Sequence, residues 1–420
     1  MKTFSSGRWS LVFGVAMAAW FLSFGVWPEL YRLVGTTHYG VWFLDSFAIL
    51  ASSDAQARGL DPYVPNPLDY FARPHVYTHW WLRLHDLGLT RASNFWVGFT
   101  VVVAFFMTAV AGLRPRSGRE LVWLGVMLGS PPVLLAVNRA NNDLVIFVLL
   151  APVVPCLLDG RRLVRMAAIA LIAAAAGLKF FPASAGLILL TGAGVTVREV
   201  RERLVLAVVV LALVGFDLAG DLAGIGKLAP KAFGLLTFAA TNLPAELGVS
   251  RGYCSATGLG LAAGIVVGFW RSRCFEGWVI SRGETGAWLS FVLGAVVLTG
   301  CFLTGTNFSY RWVFALWLAP LLWTLWNDAA APQSVRRLGA WTAGLLGVCL
   351  WADGLVSALL GGVQGVIGPT QAEKIARLFF AIEQPVTWTF FACLLGFLTH
   401  FTREGVRNLL GRPTAANTVK

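Results

Sequence analysis

Charged residues are scarce in this 420-residue chain: 13% are Asp, Glu, Lys or Arg, against 57% hydrophobic residues, and the mean hydropathy is +0.70. That balance excludes an ordinary soluble globular protein, in which about a quarter of the residues are charged. Cysteine is sparse too. The six are scattered, with Cys156, Cys301, Cys349 and Cys393 inside or at the ends of apolar runs, so no disulfide or metal framework is expected. The chain has no C-x-x-C pair, no H-E-x-x-H, no Walker loop and no G-x-G-x-x-G fingerprint, which argues against soluble nucleotide-binding modules.

Long apolar runs take their place. A helix rises about 1.5 Å per residue, so about 20 apolar residues cross a hydrocarbon core of about 30 Å. About twelve runs of that kind recur, starting near residues 9, 95, 121, 143, 163, 182, 203, 256, 286, 312, 339 and 385. The expected fold is an all-α polytopic membrane protein of about twelve transmembrane helices, forming one integral membrane domain over residues 1–420. The first run follows Lys2 and Arg8 and resembles a signal peptide. Its apolar core is too long and no small-x-small cleavage site follows, so it is expected to stay as an anchor.

Orientation follows from the basic residues, because Lys and Arg in short loops are retained on the cytoplasmic side. Alternate links carry Arg114, Arg116 and Arg119; Arg161, Arg162 and Arg165; Arg198, Arg201 and Arg203; Arg271, Arg273 and Arg282; and Arg336 with Arg337. Lys2 and Arg8 at one end join them, as do Arg403, Arg407, Arg412 and Lys420 at the other. All fall on one face of a twelve-span arrangement, which is expected to be the cytoplasmic face of a bacterial inner membrane, with both termini on it. The formal charge of +12 is then an orientation signal and an attraction to the anionic headgroups of the lipid bilayer, with no role for nucleic acid.

The opposite face collects polar motifs that orientation does not explain. It holds a long extracytoplasmic loop with short helices over residues 28–94, then "NRANND" at 138–143, then "LKFFP" around Lys179. A second long loop ending in "TNLPAELGVSRGYCSAT", then "TGTNFSYRW", and a last loop with the amphipathic stretch "QAEKIARLFFAIEQ" complete it. Charges at span ends are costly unless paired or wetted, so their gathering on one face predicts a site.

Within the first loop, Asp45 stands among apolar neighbours in a stretch rich in Trp, Tyr and Phe. An acid so placed is either partly desolvated or held by a cation, and either setting suits a catalytic carboxylate. An interfacial aromatic belt with an incidental Asp is the plainer alternative. "NRANND" reads as a helix cap ahead of "LVIFVLL" and also as part of an active site; the two are compatible. His75 and His79 lie four apart, which is thin support for a metal, and they are read as hydrogen-bonding loop residues.

The order Asp45, "AQARGLDPY", "PHVYTHWW", "NRANNDLVIFVLLAPVVP", "GLKFFPASAGLILL" and "TGTNFSYRWVFALWLAP" resembles the multi-spanning glycosyltransferases of the C superfamily. It is most similar to family 87, the mannosyltransferase-like enzymes that use polyprenyl-phosphate sugars, and the likeness runs from about residue 40 to residue 320. An Asp after the first span, a G-x-x-P-Y element at Gly59, Pro62 and Tyr63, an N/D motif opening a later helix, and Lys179 with Pro182 carry it. The resemblance implies an inverting transfer of sugar from a polyprenyl-phosphate donor to a hydroxyl of a glycolipid or glycan acceptor, on the extracytoplasmic face, with Asp45 as general base. It further implies that Arg139, Lys179 and Arg311 hold the donor phosphate. Asn138, Asn141, Asn142, Asp143, Tyr310, His75 and Tyr77 are implied on the sugar or the acceptor. Asp143 is also expected to hold Arg139 one helical turn away. The paired D-x-D acids of metal-dependent relatives are missing, so neither a catalytic metal nor a cofactor is expected. The alternative is a twelve-span secondary transporter or a flippase for lipid-linked glycans; against it, the polar residues gather at span ends and not at the bilayer midplane.

Overall fold

The computed structural model describes residues 3–192, 195–221, 251–278, 280, 284–304 and 308–410. Most of the second long loop lies outside the described residues, as do residues 305–307 of "TGTNFSYRW" and the basic residues Lys2, Arg282, Arg412 and Lys420. Among the described residues all regular structure is helical. Five helices among the described residues are long and apolar enough to cross a bilayer: Gly7–Val26, Arg91–Leu113, Thr285–Leu303, Gln333–Val363 and Pro369–Leu409. A sixth is added if Gly118–Leu128 and Pro131–Arg139, bent by 54°, count as one span. This is a membrane protein.

Several of the apolar runs fold as shorter pieces, including Asn142–Leu158, Phe181–Leu190 and Ala256–Arg271. Proline explains part of the difference from a simple count of runs. Pro152 precedes the helix Val153–Leu158, Pro182 opens Phe181–Leu190, and Pro320 opens Ala319–Asn327. Proline lacks the N–H that would continue a helix and restricts the residue before it, so hydropathy persists where the helix stops. Pro131 and Pro132 do the same at the 54° bend, after Ser130 in an extended conformation. The opposite correction applies near the C-terminus. "QAEKIARLFFAIEQ", expected in a loop, belongs to the single helix Pro369–Leu409, which starts after Gly368 at φ 75°.

The helix Thr285–Leu303 is 72% buried over its most apolar window, against 17% for Gly7–Val26 and 22% for Arg91–Leu113, so it forms the centre of the bundle while those two line its outside. Around it, broad rings close the core: Phe147 stacks on Trp317 at 4.4 Å and Phe302 on Phe391 at 4.0 Å between centroids.

The chain between the first two spans folds as short helices, Leu30–Leu33 and Leu44–Ala57, followed by a 3-10 segment, His79–Leu87. Two close approaches fasten it to the bundle. Gly35, at φ +69°, lies so near the helix Gln333–Ile367 that an added Cβ would sit 1.8 Å from the carbonyl oxygen of Gly354. Gly177, at the end of the helix Arg162–Leu178, lets the Trp80 ring approach to where a Cβ would be 2.1 Å away. There the Thr78 hydroxyl donates to the Gly177 carbonyl at 2.7 Å and the Trp81 indole to that of Leu178 at 2.9 Å. These carbonyls have no partner within their own helix, so the loop completes the helix end immediately before Lys179.

Candidate active site

The motif "NRANND" is a break between two helices. Pro131–Arg139 ends at Ala140, whose φ of 41° is left-handed, and Asn142–Leu150 begins two residues later. Asn141 caps the second helix, its side-chain oxygen accepting the Asp143 N–H at 2.9 Å. The other end of the same amide donates to Asp45 at 2.6 Å. Capping and site building are thus done by one side chain, and Ala substitution at such a cap costs about 1 kcal/mol before the Asp45 contact is counted. Asp45 reaches the motif because the Phe43 N–H donates to the Asn138 carbonyl at 3.0 Å, with Phe43 at φ 60°, aiming the first turn of Leu44–Ala57 at the break.

Asp45 is buried and accepts four hydrogen bonds. Arg139 forms a fork on it, Nε to Oδ2 at 2.9 Å and Nη2 to Oδ1 at 2.6 Å. Asn141 adds a third donor, and Arg73 a fourth from Nη1 at 3.3 Å. Of the two settings the sequence allowed for this acid, the structure has the one with a cationic partner. Arg73 escaped the sequence reading. It is fixed by Asp69, which accepts from its Nη2 at 2.8 Å and its Nε at 2.9 Å, and its Nη2 also donates to the Leu44 carbonyl at 2.9 Å. The available signal was the spacing of Asp69 and Arg73, four apart in a Pro-rich loop. Burial pushes the Asp69 carboxyl up, but the Arg73 hydrogen bonds and charge outweigh it and hold the group below its ordinary range.

A second ion-paired set lies beside the first. Asp143, fully buried, binds the Lys179 ammonium and has the Arg311 Nε at 3.8 Å. The expected pairing of Asp143 with Arg139 is therefore wrong. A helical turn between them requires a continuous helix, and the left-handed Ala140 turns the backbone and sends the two side chains to different partners. Aromatic faces surround Lys179, with the Tyr77 ring at 5.3 Å, Phe181 at 5.7 Å and Tyr310 at 6.0 Å, while Arg311 lies 4.7 Å from the Phe181 ring. Tyr77 links the two sets. Burial raises its phenol above the ordinary value, and the charges of Asp45 and Asp143 add to the rise.

The remaining residues singled out in the sequence have these surroundings. Asn138 is buried and its side chain meets the His38 ring, Nδ2 to Nδ1 at 3.1 Å. Asn142 is 2% exposed, and neither its amide nitrogen nor its oxygen has a hydrogen-bond partner among the described residues. His79 is drawn away toward the end of Val197–Asp217, its Nδ1 2.8 Å from Asp221 and its Nε2 3.5 Å from Asp217. Among the described residues His75 makes no hydrogen bond to a charged group: its backbone N–H donates to the Pro62 carbonyl at 2.7 Å, and its Nε2 lies 3.1 Å from the Thr78 carbonyl.

Burial pushes the His75 imidazole down to about 4 from its ordinary 6.5, against smaller opposing effects of the Thr78 carbonyl and Asp221. Between those two values the unfolded chain binds a proton that the native chain refuses, so stability falls as pH drops from about 6.5 to about 4 and is not lost further by this group below that. The whole effect is about 3 kcal/mol. Thermal unfolding of parent and His75→Gln at pH 7 and pH 4.5 is the measurement: the parent should lose more stability on acidification than the variant. Equal losses would show that His75 takes up its proton in the folded chain.

Backbone strain concentrates here. Among the described residues four non-glycine positions have positive φ, namely Phe43, Ala72, Arg114 and Ala140, and three of them lie within two residues of Asp45, Arg73 and the Arg139–Asn141 pair. Each left-handed L-residue costs about 1–2 kcal/mol, and such strain gathers where side chains must be aimed. No protein-family model, no curated protein and no solved structure matches this chain.

Proposed function

We propose that the chain is a membrane glycosyltransferase, moving a sugar from a polyprenyl-phosphate donor to a hydroxyl of a glycolipid or glycan acceptor on the extracytoplasmic face of a bacterial inner membrane. One observation carries the reading. Asp45, Arg139, Asn141, Asp143, Lys179 and Arg311, spread over more than half of the chain, meet in two adjoining buried ion-paired sets. Buried charge in a membrane protein is expensive and marks function, and structural need alone does not explain an Asn142 amide with no hydrogen-bond partner among the described residues, which costs about 1–3 kcal/mol and suits a sugar hydroxyl.

In the proposed reaction the acceptor oxygen bonds to the anomeric carbon as the bond from that carbon to the phosphate oxygen breaks. The acceptor proton goes to Asp45, and the electron pair leaves with the polyprenyl phosphate. Arg139, Lys179 and Arg311 stabilise that anion, Arg by a fork of donors and Lys as a point charge. The test is to give the purified protein polyprenyl-phosphate sugars with candidate acceptors and follow polyprenyl phosphate. Acceptor-dependent release is the expected result. Movement of intact labelled lipid between leaflets, without cleavage of the sugar–phosphate bond, would sink the reading in favour of a flippase.

A further inference from the structure

As it stands, Asp45 cannot act as a base: four donors occupy its two oxygens, and a carboxylate so engaged has no lone pair left for an incoming proton. Its partners are not equivalent. Arg139 supplies two of the four bonds; beyond Asp45 it lies 5.7 Å from the half-exposed Tyr39 ring and within electrostatic reach of the Tyr77 and Tyr310 phenols, none of which is an anion competing for its fork. Arg73 is held from three sides by the two oxygens of Asp69 and the Leu44 carbonyl, with its contact to Asp45 the longest it makes. Asp69 is itself fixed by the backbone N–H groups of Phe71 at 3.0 Å and Arg73 at 3.1 Å. Asn141 is fixed by its cap on Asp143.

We propose that Arg73, locked by Asp69, is a positioning residue that keeps Asp45 in place while Arg139 is exchanged from Asp45 to the phosphate of the donor. The inference rests on the transferase reading above. A phosphate oxyanion competes for the same guanidinium fork that the carboxylate occupies. When it takes Arg139, two lone pairs on Asp45 become available, and the carboxylate stays aimed because Arg73 and Asn141 remain. The base is therefore released only when the donor phosphate is seated, which couples proton removal to the presence of a sugar donor. Ala72, at φ 49°, holds the backbone that presents Arg73, in keeping with a side chain whose direction matters.

The arginines should then separate in experiment. Arg139→Gln is expected to weaken binding of polyprenyl phosphate, measured with the full-length protein in detergent. Arg73→Gln should leave that binding within about twofold while lowering kcat by about 100-fold, the usual cost of a misplaced reacting group. Arg73→Lys should recover part of kcat, and Asp69→Asn should resemble a weaker Arg73→Gln. Elution as a single monodisperse peak, with retained lipid-phosphate binding, distinguishes these losses from misfolding. If Arg73→Gln loses binding as severely as Arg139→Gln, Arg73 is an anion ligand and the proposal is wrong; parent-like kcat in Arg73→Gln overturns it equally. A parent protein that binds polyprenyl phosphate with the predicted split between the two arginines, yet transfers no sugar, overturns the transferase reading alone.

Discussion

Asp45→Asn is expected to slow sugar transfer by about 100-fold to 10,000-fold, the range over which general-base catalysis contributes. The amide keeps the volume of the acid and still accepts hydrogen bonds, but it does not take the acceptor's proton at neutral pH. Geometry adds a second expectation that the loss of a base alone would not give. Because Asp45 and the donor phosphate are proposed to share Arg139, removing the carboxylate's charge takes away a competitor. Polyprenyl phosphate should therefore bind Asp45→Asn at least as tightly as the parent. Slow transfer with retained or tighter binding is the combined signature. Transfer within about threefold of the parent, well short of a general-base effect, would remove Asp45 from the reaction; loss of binding would mean that the ion pair is there for the fold.

Lys179→Met is expected to have the largest effect on stability. The substitution leaves Asp143 with no exposure, and with the Arg311 Nε at 3.8 Å as its nearest remaining cation among the described residues. Breaking a buried pair from one side costs about 3–5 kcal/mol, and the more distant Arg311 offsets only part of the charge stranded on Asp143. Asp143→Asn in the same chain should restore most of that loss, since a neutral amide no longer needs the ammonium. Sugar transfer should not return with it, because the proposed phosphate contact is still absent. Thermal unfolding in detergent of the parent, the single variants and the double variant decides the matter. A double variant no more stable than Lys179→Met would show that Lys179 stabilises through its packing against Tyr77, Phe181 and Tyr310 and not through the pair.

Much of this candidate site was legible in the sequence, for a physical reason. In a chain this apolar a polar group at a helix end is expensive, so "NRANND", Lys179 and Arg311 stand out against their surroundings. The cap at Asn141 was equally plain, because its signal is local: an Asn ahead of an apolar helix. Arg73 was not, because a loop already rich in polar residues offers no such contrast, and nothing local says that residue 73 returns to the turn that carries Asp45.

Composition by itself determined that the chain is helical and lies in a membrane, since the cost of unpaired backbone in hydrocarbon leaves few alternatives for so many apolar runs. It did not determine how many runs cross as unbroken helices, because hydropathy sums side chains while Pro152, Pro182 and Pro320 act on the backbone. Nor did it determine who pairs with whom. A spacing of four predicts a contact only along a continuous helix, and the left-handed Ala140 interrupts that helix, giving Arg139 to Asp45 and Asp143 to Lys179. Which cation meets which carboxylate was left to tertiary structure, because long-range ion pairs depend on how the chain turns between elements.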